Sequence, residues 1–581
     1  KKSFSSLLNS SFGWLVLIAL LVLVNITATF FKFRIDLTEE KRFSLSTPTK
    51  KLLKHIDSTI TVDVLLEGEL PADFRKLQVS TKDLLNEMKE YAGKKLEYNF
   101  INSETIEKDS AYQLMLASFD LIPTARESQT KKGEEKVMLY PFAVVNRGDK
   151  KIGIDLLKGK IVYDVDPING TRQINEAKSI NAAESLLEFK IADAIDKIQQ
   201  QNKPVIGYLM GNGEPPIGPP NGIETYDLVK TLEANYRLFT LDINTHPVIP
   251  LEFKALLIVR PTQKFEDSTK QKIDQYIMQG GKVLWSLDNL DANKDSLARL
   301  ANTVAFDMGI NLDDQLFKYG VRINRDLVQD MQCDMVPIVI GQTGGQAQIQ
   351  PIPFNYYPLL TPSNNNAITR NMEPVLGQYV NSIDTVKAEG IKKTVLLSSS
   401  ENSKFVSTPA IISLNELKTI EEPKLYNKKF LPVAYLLEGK FNSTFAHRTS
   451  QETINQFEQW YKTPFKTQCD EPTKMIVISD GDIFLNKYSQ SQQQEPPPMG
   501  LSNTQQQLYA NRTFLLNALE YLVNPSGIIE TRNKDITLRL LNKTKVEEEK
   551  TKWQIINIAV PVLLVIAAGF IFQQIRKKKY S

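Results

Sequence analysis

The stretch KALLIVRPTQKFEDSTKQKIDQYIMQGGKVLWSLD, residues 254–288, decides the fold. It begins with an aliphatic run typical of a buried strand and continues with the apolar spacing of a helix. A second aliphatic run follows a Gly-Gly pair that predicts a helix C-cap. The preceding segment repeats this order, with a strand over 203–211, a helix over 223–236 and a strand over 237–243. Strands that alternate with helices through short connections predict a doubly wound, mostly parallel sheet covered on both faces.

This α/β region is predicted to extend over residues 181–530. Two polar, Gly/Pro/Gln-rich stretches inside it, 341–366 and 489–507, lack any periodicity. Such composition indicates mobile loops.

A smaller α/β domain is predicted over residues 36–180. Residues 58–66 alternate as a strand does, 72–92 have helical spacing, and 95–103 return to strand character. A hairpin is expected next, with strands at 136–145 and 150–156. This order favours a thioredoxin-like domain, but the domain contains no cysteine, which excludes thiol redox chemistry.

Charge and composition exclude several classes of function. The 581 residues include 70 Lys and Arg against 67 Asp and Glu, which gives a net charge of +3. A nucleic acid is therefore not expected as a partner, because proteins that bind one concentrate basic charge. Two cysteines and three histidines (His55, His246 and His447) are few ligands for a zinc or iron site, so we expect no metal and no other cofactor.

Two apolar segments of about 20 residues, the length that crosses a bilayer, lie near the ends of the chain. The first covers residues 12–31 and follows a tail of residues 1–11; the second covers 553–573 and precedes a basic tail over 574–581. A cleaved signal peptide is the alternative for the first segment, but no small-residue cleavage site follows it. Its polar residues could bond a neighbouring membrane helix or simply lie at the interface; they are Asn25, Thr27 and Thr29.

The basic residues Arg576 to Lys579 favour a cytoplasmic C-terminus under the positive-inside rule. Two spans place both termini on one side, so the large middle region is predicted to lie outside the cytoplasm. A connector over 531–552 would join this region to the second span. Because the outer compartment is oxidising, Cys333 and Cys469 are predicted to form a disulfide.

Polar residues follow three of the predicted strands, at the positions where open α/β sheets place ligands. The first turn lacks the Gly-rich phosphate-binding motifs, and the last lacks the distal ligands of a calcium loop. A structural role as a turn or a cap is the simpler interpretation of each. The candidates for a ligand or interaction rim are Gly211, Asn212, Gly213 and Glu214, then Asp288, and finally Asp480 and Asp482.

Four segments, in their order along the chain, resemble the GldG family of gliding-motility-associated ABC transporter auxiliary proteins of the Bacteroidetes. They are RIDLTEEKRFSLS (34–46), the stretch 254–288, MIVISDGDIF with NRTFLLNALEYL (475–484 and 511–522), and IINIAVPVLLVIAAGFIFQQIRKKK (555–579). The resemblance implies a bacterial inner-membrane protein with a periplasmic middle region, whose second domain is amidotransferase-like. It also implies two partners, a GldA-like ABC ATPase and a GldF-like multi-span permease.

An active amidotransferase would need a cysteine nucleophile where this chain has Gly211-Asn212-Gly213-Glu214, and the chain lacks the Walker motif of an ATPase. We therefore expect a non-catalytic subunit that couples the ATPase and the permease to periplasmic proteins, including gliding or secretion machinery. This subunit would serve gliding motility or linked protein export, and it would also contact the lipid bilayer. A cell-envelope hydrolase that uses Asp480 or Asp482, and a passive periplasmic scaffold, are the two alternatives.

Overall fold

The computed structural model describes residues 44–533 and 543–580, together with the isolated positions 18, 22 and 23. Within the first range it leaves out 69, 131–132, 166–171, 219–221, 293–296, 298–299, 344–345, 415–421 and 487–495. The chain divides into two compact units, residues 1–534 and 535–581. Apart from the three isolated positions, the first predicted span and its tail lie outside the described residues, and so do Asn25, Thr27 and Thr29.

The N-terminal part of the first unit is a small α/β domain. Its elements in chain order are α1 (Thr47–Lys54), β1 (Ile60–Glu67), α2 (Ala72–Ala92), a 3-10 turn (Gly93–Lys95), β2 (Leu96–Asn102), α3 (Ser103–Glu107), α4 (Ser110–Ser118), β3 (Thr124–Thr130), β4 (Gly133–Leu139), β5 (Phe142–Arg147), β6 (Lys150–Asp155), β7 (Tyr163–Val165), β8 (Arg172–Ile174), α5 (Glu176–Ser185) and α6 (Leu187–Gln199).

Four of these strands form one sheet in the order β2-β1-β5-β6. The pair β1 and β2 is parallel, and the other two pairs are antiparallel. The helix α2, predicted over 72–92, has those bounds and ends at Gly93, whose φ of 64° suits glycine. The predicted hairpin is confirmed, since β5 and β6 pair antiparallel from Phe142 with Asp155 to Arg147 with Lys150. The run 136–145 is not one strand, because Tyr140-Pro141 separates β4 from β5 and proline cannot continue a ladder in which its N–H is needed.

The larger α/β region follows in the same unit. Its elements are β9 (Val205–Met210), α7 (Tyr226–Asn235), β10 (Arg237–Asp242), β11 (Ala255–Val259), α8 (Asp267–Met278), β12 (Val283–Ser286), β13 (Leu290–Asp291), β14 (Asn302–Asp307), α9 (Asp313–Tyr319), β15 (Val321–Ile323), β16 (Asp326–Asp330), β17 (Cys333–Thr343), β18 (Gln346–Pro362), β19 (Val375–Leu376), β20 (Ile383–Thr385), β21 (Ile391–Ser398), β22 (Ser403–Ser407), β23 (Ala410–Ser413), a 3-10 turn (Pro423–Leu425), β24 (Pro432–Gly439), α10 (Gln451–Tyr461), β25 (Thr473–Ile478), β26 (Leu501–Ser502), β27 (Gln507–Leu508), α11 (Asn511–Val523) and a 3-10 turn (Ile528–Asn533).

A ten-stranded sheet organises this region in the order β10-β9-β11-β12-β25-β24-β21-β18-β17, with β19 paired to β18. The first five strands are parallel, and the remaining pairs along this path are antiparallel. Counted along the chain, the parallel strands have the order 2-1-3-4-5 of one doubly wound class, whose topological switch point lies between β9 and β11. The sheet is therefore mixed, and its parallel half confirms the α/β prediction.

Hydrophobic cores cover both faces of this sheet. One contains Leu228 and Leu232 of α7 with Phe514 and Leu519 of α11, and the other contains residues of α8 and α9. The predicted glycine C-cap of α8 is confirmed: Gly281 N–H donates to Tyr276 O and Gly280 N–H to Ile277 O, the two bonds of a Schellman motif.

The mobile loop predicted over 341–366 is wrong. Most of this segment belongs to the long hairpin of β17 and β18, because alternating apolar residues on β18 give it a face to bury. Of the second predicted loop, 489–507, residues 489–495 lie outside the described residues, and β26 pairs with β27 near its end.

The described residues of the second unit form the helix α12 (Lys543–Tyr580), with Pro561 inside it. Among the described residues, its segment Glu549–Ile575 is the one stretch long and apolar enough to cross a membrane. Of the predicted connector 531–552, residues 534–542 lie outside the described residues, and the part from Lys543 onward belongs to this helix.

Candidate functional site

The carboxyl ends of β9, β11, β12 and β25 meet at one edge of the sheet, and the predicted rim residues lie in the turns that follow them. Register pairs fix this edge: Val259 of β11 lies beside Ser286 of β12, which in turn lies beside Ile478 of β25. The turn after β9 lies at the switch point, next to the end of β11.

The turn after β9 is joined to the loop after β11 through backbone contacts. Asn212 O accepts from the backbone N–H groups of Thr262 (3.0 Å) and Gln263 (2.8 Å), and Thr262 Oγ1 donates to Gly213 O at 3.0 Å. Gly213 has a φ of 79°, and a Cβ there would lie 2.3 Å from Thr262 Oγ1. Glycine is thus required both for the backbone conformation and for the close approach.

Glu214 is a buried carboxyl in this turn. Its Oε2 accepts from Asn212 N–H at 2.7 Å, while its Oε1 and the neighbouring Asn212 Oδ1 have no hydrogen-bond partner among the described residues. Burial raises the pKa of Glu214 to about 7. Near neutral pH this carboxyl therefore exists partly as the neutral acid, which is able to donate a hydrogen bond.

Arg260, the first residue after β11, binds two acidic side chains. Its Nη1 donates to Asp482 Oδ1 at 2.7 Å, and its Nη2 donates to Glu224. Burial alone would lower the pKa of Arg260, but Asp482 and Glu224 bring it above its ordinary value. The guanidinium therefore stays charged and neutralises part of the acidic rim.

Asp288 and the Asp480-Gly481-Asp482 turn are in direct contact. Gly481 N–H donates to Asp288 Oδ1 at 2.6 Å, and a Cβ on Gly481 would lie 2.6 Å from Asp288 Oδ2 and 2.9 Å from Arg260 Cβ. No larger residue fits between these two side chains without a shift of its neighbours. The glycine thus allows the ends of β11, β12 and β25 to converge.

Asp480 is fully buried and connects the parallel strands to the insertion between β12 and β25. Its Oδ2 accepts from Gln378 N–H at 2.9 Å, and its Oδ1 accepts from Asp482 N–H at 2.9 Å. Ser286 Oγ donates to the Asp480 carbonyl at 2.6 Å. The Asp480 carboxylate therefore accepts hydrogen bonds from buried backbone amides, which is a structural role.

The rim residues form a network of hydrogen bonds and ion pairs within the protein. Asp288, Asp480 and Asp482 accept from backbone N–H groups or from Arg260, so their charges are compensated inside the protein. A catalytic carboxylate pair would instead have to face a substrate. In the turn after β9, Glu214 Oε1 and Asn212 Oδ1 are the rim oxygens without a hydrogen-bond partner among the described residues.

The predicted disulfide between Cys333 and Cys469 is wrong, because both residues are free thiols. Cys469 lies in the core on the α8 side of the sheet, and its Sγ donates to Ile277 O at 3.4 Å. Cys333 begins β17 and has its Sγ 3.7 Å from Asn355 Oδ1. The fold places the two thiols in different surroundings, so they do not meet.

Two of the three histidines lie beside backbone carbonyls one helical turn away. His55 Nδ1 lies 2.7 Å from Lys51 O, and His246 Nδ1 lies 2.9 Å from Asp242 O. Over the part of the chain that the structure describes, no three His, Cys, Asp or Glu side chains are grouped so as to hold a metal ion.

Three groups of the rim were not predicted from the sequence. Arg260 directly follows a predicted strand, so the rule that found Asp288 would also have found it. Glu224 and the backbone N–H of Gln378 reach the rim from distant segments, and nothing in the local pattern around them signals this.

Comparison with known proteins assigns the larger region to a family. The sequence model of the family described as "ABC-type uncharacterized transport system" matches residues 203–518, more than half of the chain. The chain belongs to this family and is an auxiliary protein of an ABC-type transport system. Membership implies association with transporter components, and with the apolar helix of the second unit it indicates association with a membrane.

Other similarities are weaker. A model described as "Domain of unknown function (DUF7088)" matches residues 39–146. An uncharacterized protein of Borreliella burgdorferi is 22% identical over 478 residues, which is 80% of each chain.

Two solved structures also share partial similarity with this chain. The mmIFT52 N-terminal domain is 14% identical, with a TM-score of 0.30, covering 57% of this chain and 100% of its own. The exo-beta-1,4-mannosidase Op5Man5 from Opitutaceae bacterium strain TAV5 is 12% identical, with a TM-score of 0.15; the match covers 41% of this chain and 32% of the mannosidase chain.

Proposed function

We propose that this chain is the membrane-anchored accessory subunit of an ABC-type transport complex, and that its α/β region couples an ATPase and a permease to proteins outside the cytoplasm. The family match over residues 203–518 is the observation that carries the proposal. The chain has no Walker motif, so another subunit would hydrolyse ATP.

The proposed topology has two membrane spans, cytoplasmic termini and a periplasmic middle region. The helix Glu549–Ile575, followed by Arg576 to Lys579, supports the second span and its orientation. For the N-terminal domain we propose a thioredoxin-like fold without redox chemistry, which the strand order β2-β1-β5-β6 supports. The sequence resemblance favours gliding motility or linked protein export in the Bacteroidetes as the process. It favours a GldA-like ATPase and a GldF-like permease as the partners.

A non-catalytic role fits the rim better than hydrolysis does. Asp480 and Asp482 are the carboxylates that a hydrolase would use, and each already binds protein groups. The bonding of the rim is expected of a rigid element that transmits movement, because compensated buried networks are stiff.

The test is purification of the tagged full-length chain in a mild detergent. We expect an ABC ATPase and a multi-span permease to co-purify, and ATP analogues to change hydrogen exchange near residues 530–552. The control is a chain in which an unrelated spanning helix replaces residues 553–573, which keeps the protein in the membrane. Recovery of the native chain alone, as a uniform oligomer, would contradict the proposal.

A further inference from the structure

The hairpin of β17 and β18 has one buried face and one face turned to solvent. On the buried side Phe354 and Tyr356 belong to a core with Ala305 and Ile412 of the β14–β23 pair. Along this hairpin successive side chains alternate between the two faces, so the intervening residues lie on the outer side.

The outer side is apolar instead of polar. Three cross-strand pairs form it, and their six residues are called the apolar stripe below: Met335 with Pro353, Pro337 with Pro351, and Val339 with Ile349. All six are exposed, with exposed fractions of 37% for Met335, 54% for Val339 and 64% for Ile349.

The stripe lies in a charge-free segment. No Asp, Glu, Lys or Arg occurs from residue 335 to residue 369, in a chain of which 24% is charged. An antiparallel pair with one solvated face normally alternates apolar and polar residues, and a contiguous exposed apolar patch marks an interaction surface. A charged surface that docked there would be desolvated without compensation, so an uncharged surface fits the stripe better.

A partner of this hairpin would contact its face and not its edge. Pro337 and Pro351 lie directly opposite each other, and two residues without N–H groups are compatible only with a non-hydrogen-bonded pair. Pro337 then lacks the N–H that would point outward from the edge of the sheet. Proline at this position blocks addition of a further strand.

Two other occupants are disfavoured on physical grounds. In hydrocarbon, the unpaired outer backbone groups of a two-stranded ribbon would have no partners, so insertion of the hairpin into a bilayer is costly. A second copy that met this chain through the stripe alone would need a larger surface, because a stable interface takes about 20–30 residues from each partner and the stripe has six. A patch of this size suffices when other contacts, such as membrane helices, already hold two proteins together.

We infer that the apolar stripe is a docking surface for the membrane-embedded subunit of the same transport complex, which contacts it through an uncharged, apolar segment outside the bilayer. This inference rests on the proposed function. The three prolines stiffen the stripe, so little conformational entropy is lost when it docks.

The test uses the full-length chain in its own membranes. A photo-crosslinking residue at Val339 should form an adduct with the permease, and the same residue at Leu114, which is 73% exposed on α4, should not. Val339→Gln and Ile349→Gln should each reduce recovery of the permease about fivefold to tenfold, as loss of an interface anchor does. The matched control Leu114→Gln should leave recovery unchanged. Equal resistance to limited proteolysis shows that the variants fold.

Each result separates the inference from the proposed function. If the native chain recovers the ATPase and permease but neither glutamine variant differs from it and no adduct forms, the inference is overturned and the proposed function stands. An adduct with a second copy of this chain, or with lipid alone, also overturns it. If the native chain recovers no transporter subunit, the proposed function fails as well.

Discussion

Replacement of Arg260 by methionine should destabilise the protein through the rim. The guanidinium, 24% exposed, bridges Asp482, whose side chain is 9% exposed, and Glu224, which is about half exposed. Removal of one partner from a buried ion pair costs about 3–5 kcal/mol. Because water reaches part of this pair and the Glu224 contact is screened, we expect a loss of about 2–3 kcal/mol in the free energy of unfolding.

Arg325 provides a matched control. It also bridges two carboxylates, Asp307 and Asp313, but all three side chains are between 40% and 52% exposed. Exposed pairs contribute about 0–1 kcal/mol, so Arg325→Met should change stability little. Arg260 has a φ of 42°, and methionine at this position bears the same backbone strain as arginine, so strain does not enter the comparison.

The measurement is the urea midpoint of the full-length chain in detergent, followed by pulse proteolysis. Arg260→Met should lower the midpoint clearly more than Arg325→Met does. The double variant Arg260→Met/Asp482→Asn should recover part of the loss, because asparagine leaves no unpaired charge. Equal losses for the two single variants would refute the view that burial makes the rim pair important.

Three further predictions concern other parts of the chain. Burial raises the pKa of Glu214 from 4.5 to about 7, so the contribution of this carboxyl to stability should fall as the pH rises through that interval. Glu214→Gln should remove this pH dependence and should be more stable than the native chain at pH 8, by at most about 3 kcal/mol. Identical pH profiles of stability for the two proteins would contradict this prediction. Protein denatured without reductant should contain two titratable thiols, and Cys333, whose pKa burial raises to about 12, should react slowly before denaturation; a count of zero thiols would show a disulfide. Protease added to osmotically opened cells should digest the middle region and spare tags at both termini, whereas loss of the C-terminal tag in intact spheroplasts would exclude the proposed topology.

Local pattern predicted the elements whose stability depends on neighbours close in sequence. The stretch 254–288 contains β11, α8 and β12 as expected, since aliphatic runs, helical spacing and a Gly-Gly cap act within a few residues. The same logic failed for 341–366: its glutamines and prolines indicated a loop, but pairing with β17 and burial of Phe354 and Tyr356 make most of it a strand. Tertiary packing overrides weak local preference in strands.

The sequence by itself therefore determined the α/β class, the position of the parallel strands and the approximate edge at which Asp288, Asp480 and Asp482 lie. Only the tertiary structure decided that Arg260 and Gly481 join these carboxylates into a bonded rim, that Cys333 and Cys469 stay apart, and that six apolar side chains share one exposed face. The physical reason is the separation along the sequence over which each interaction acts. Periodicity and capping act within one or two turns of the chain, whereas these contacts join residues far apart in sequence and depend on how the whole sheet packs.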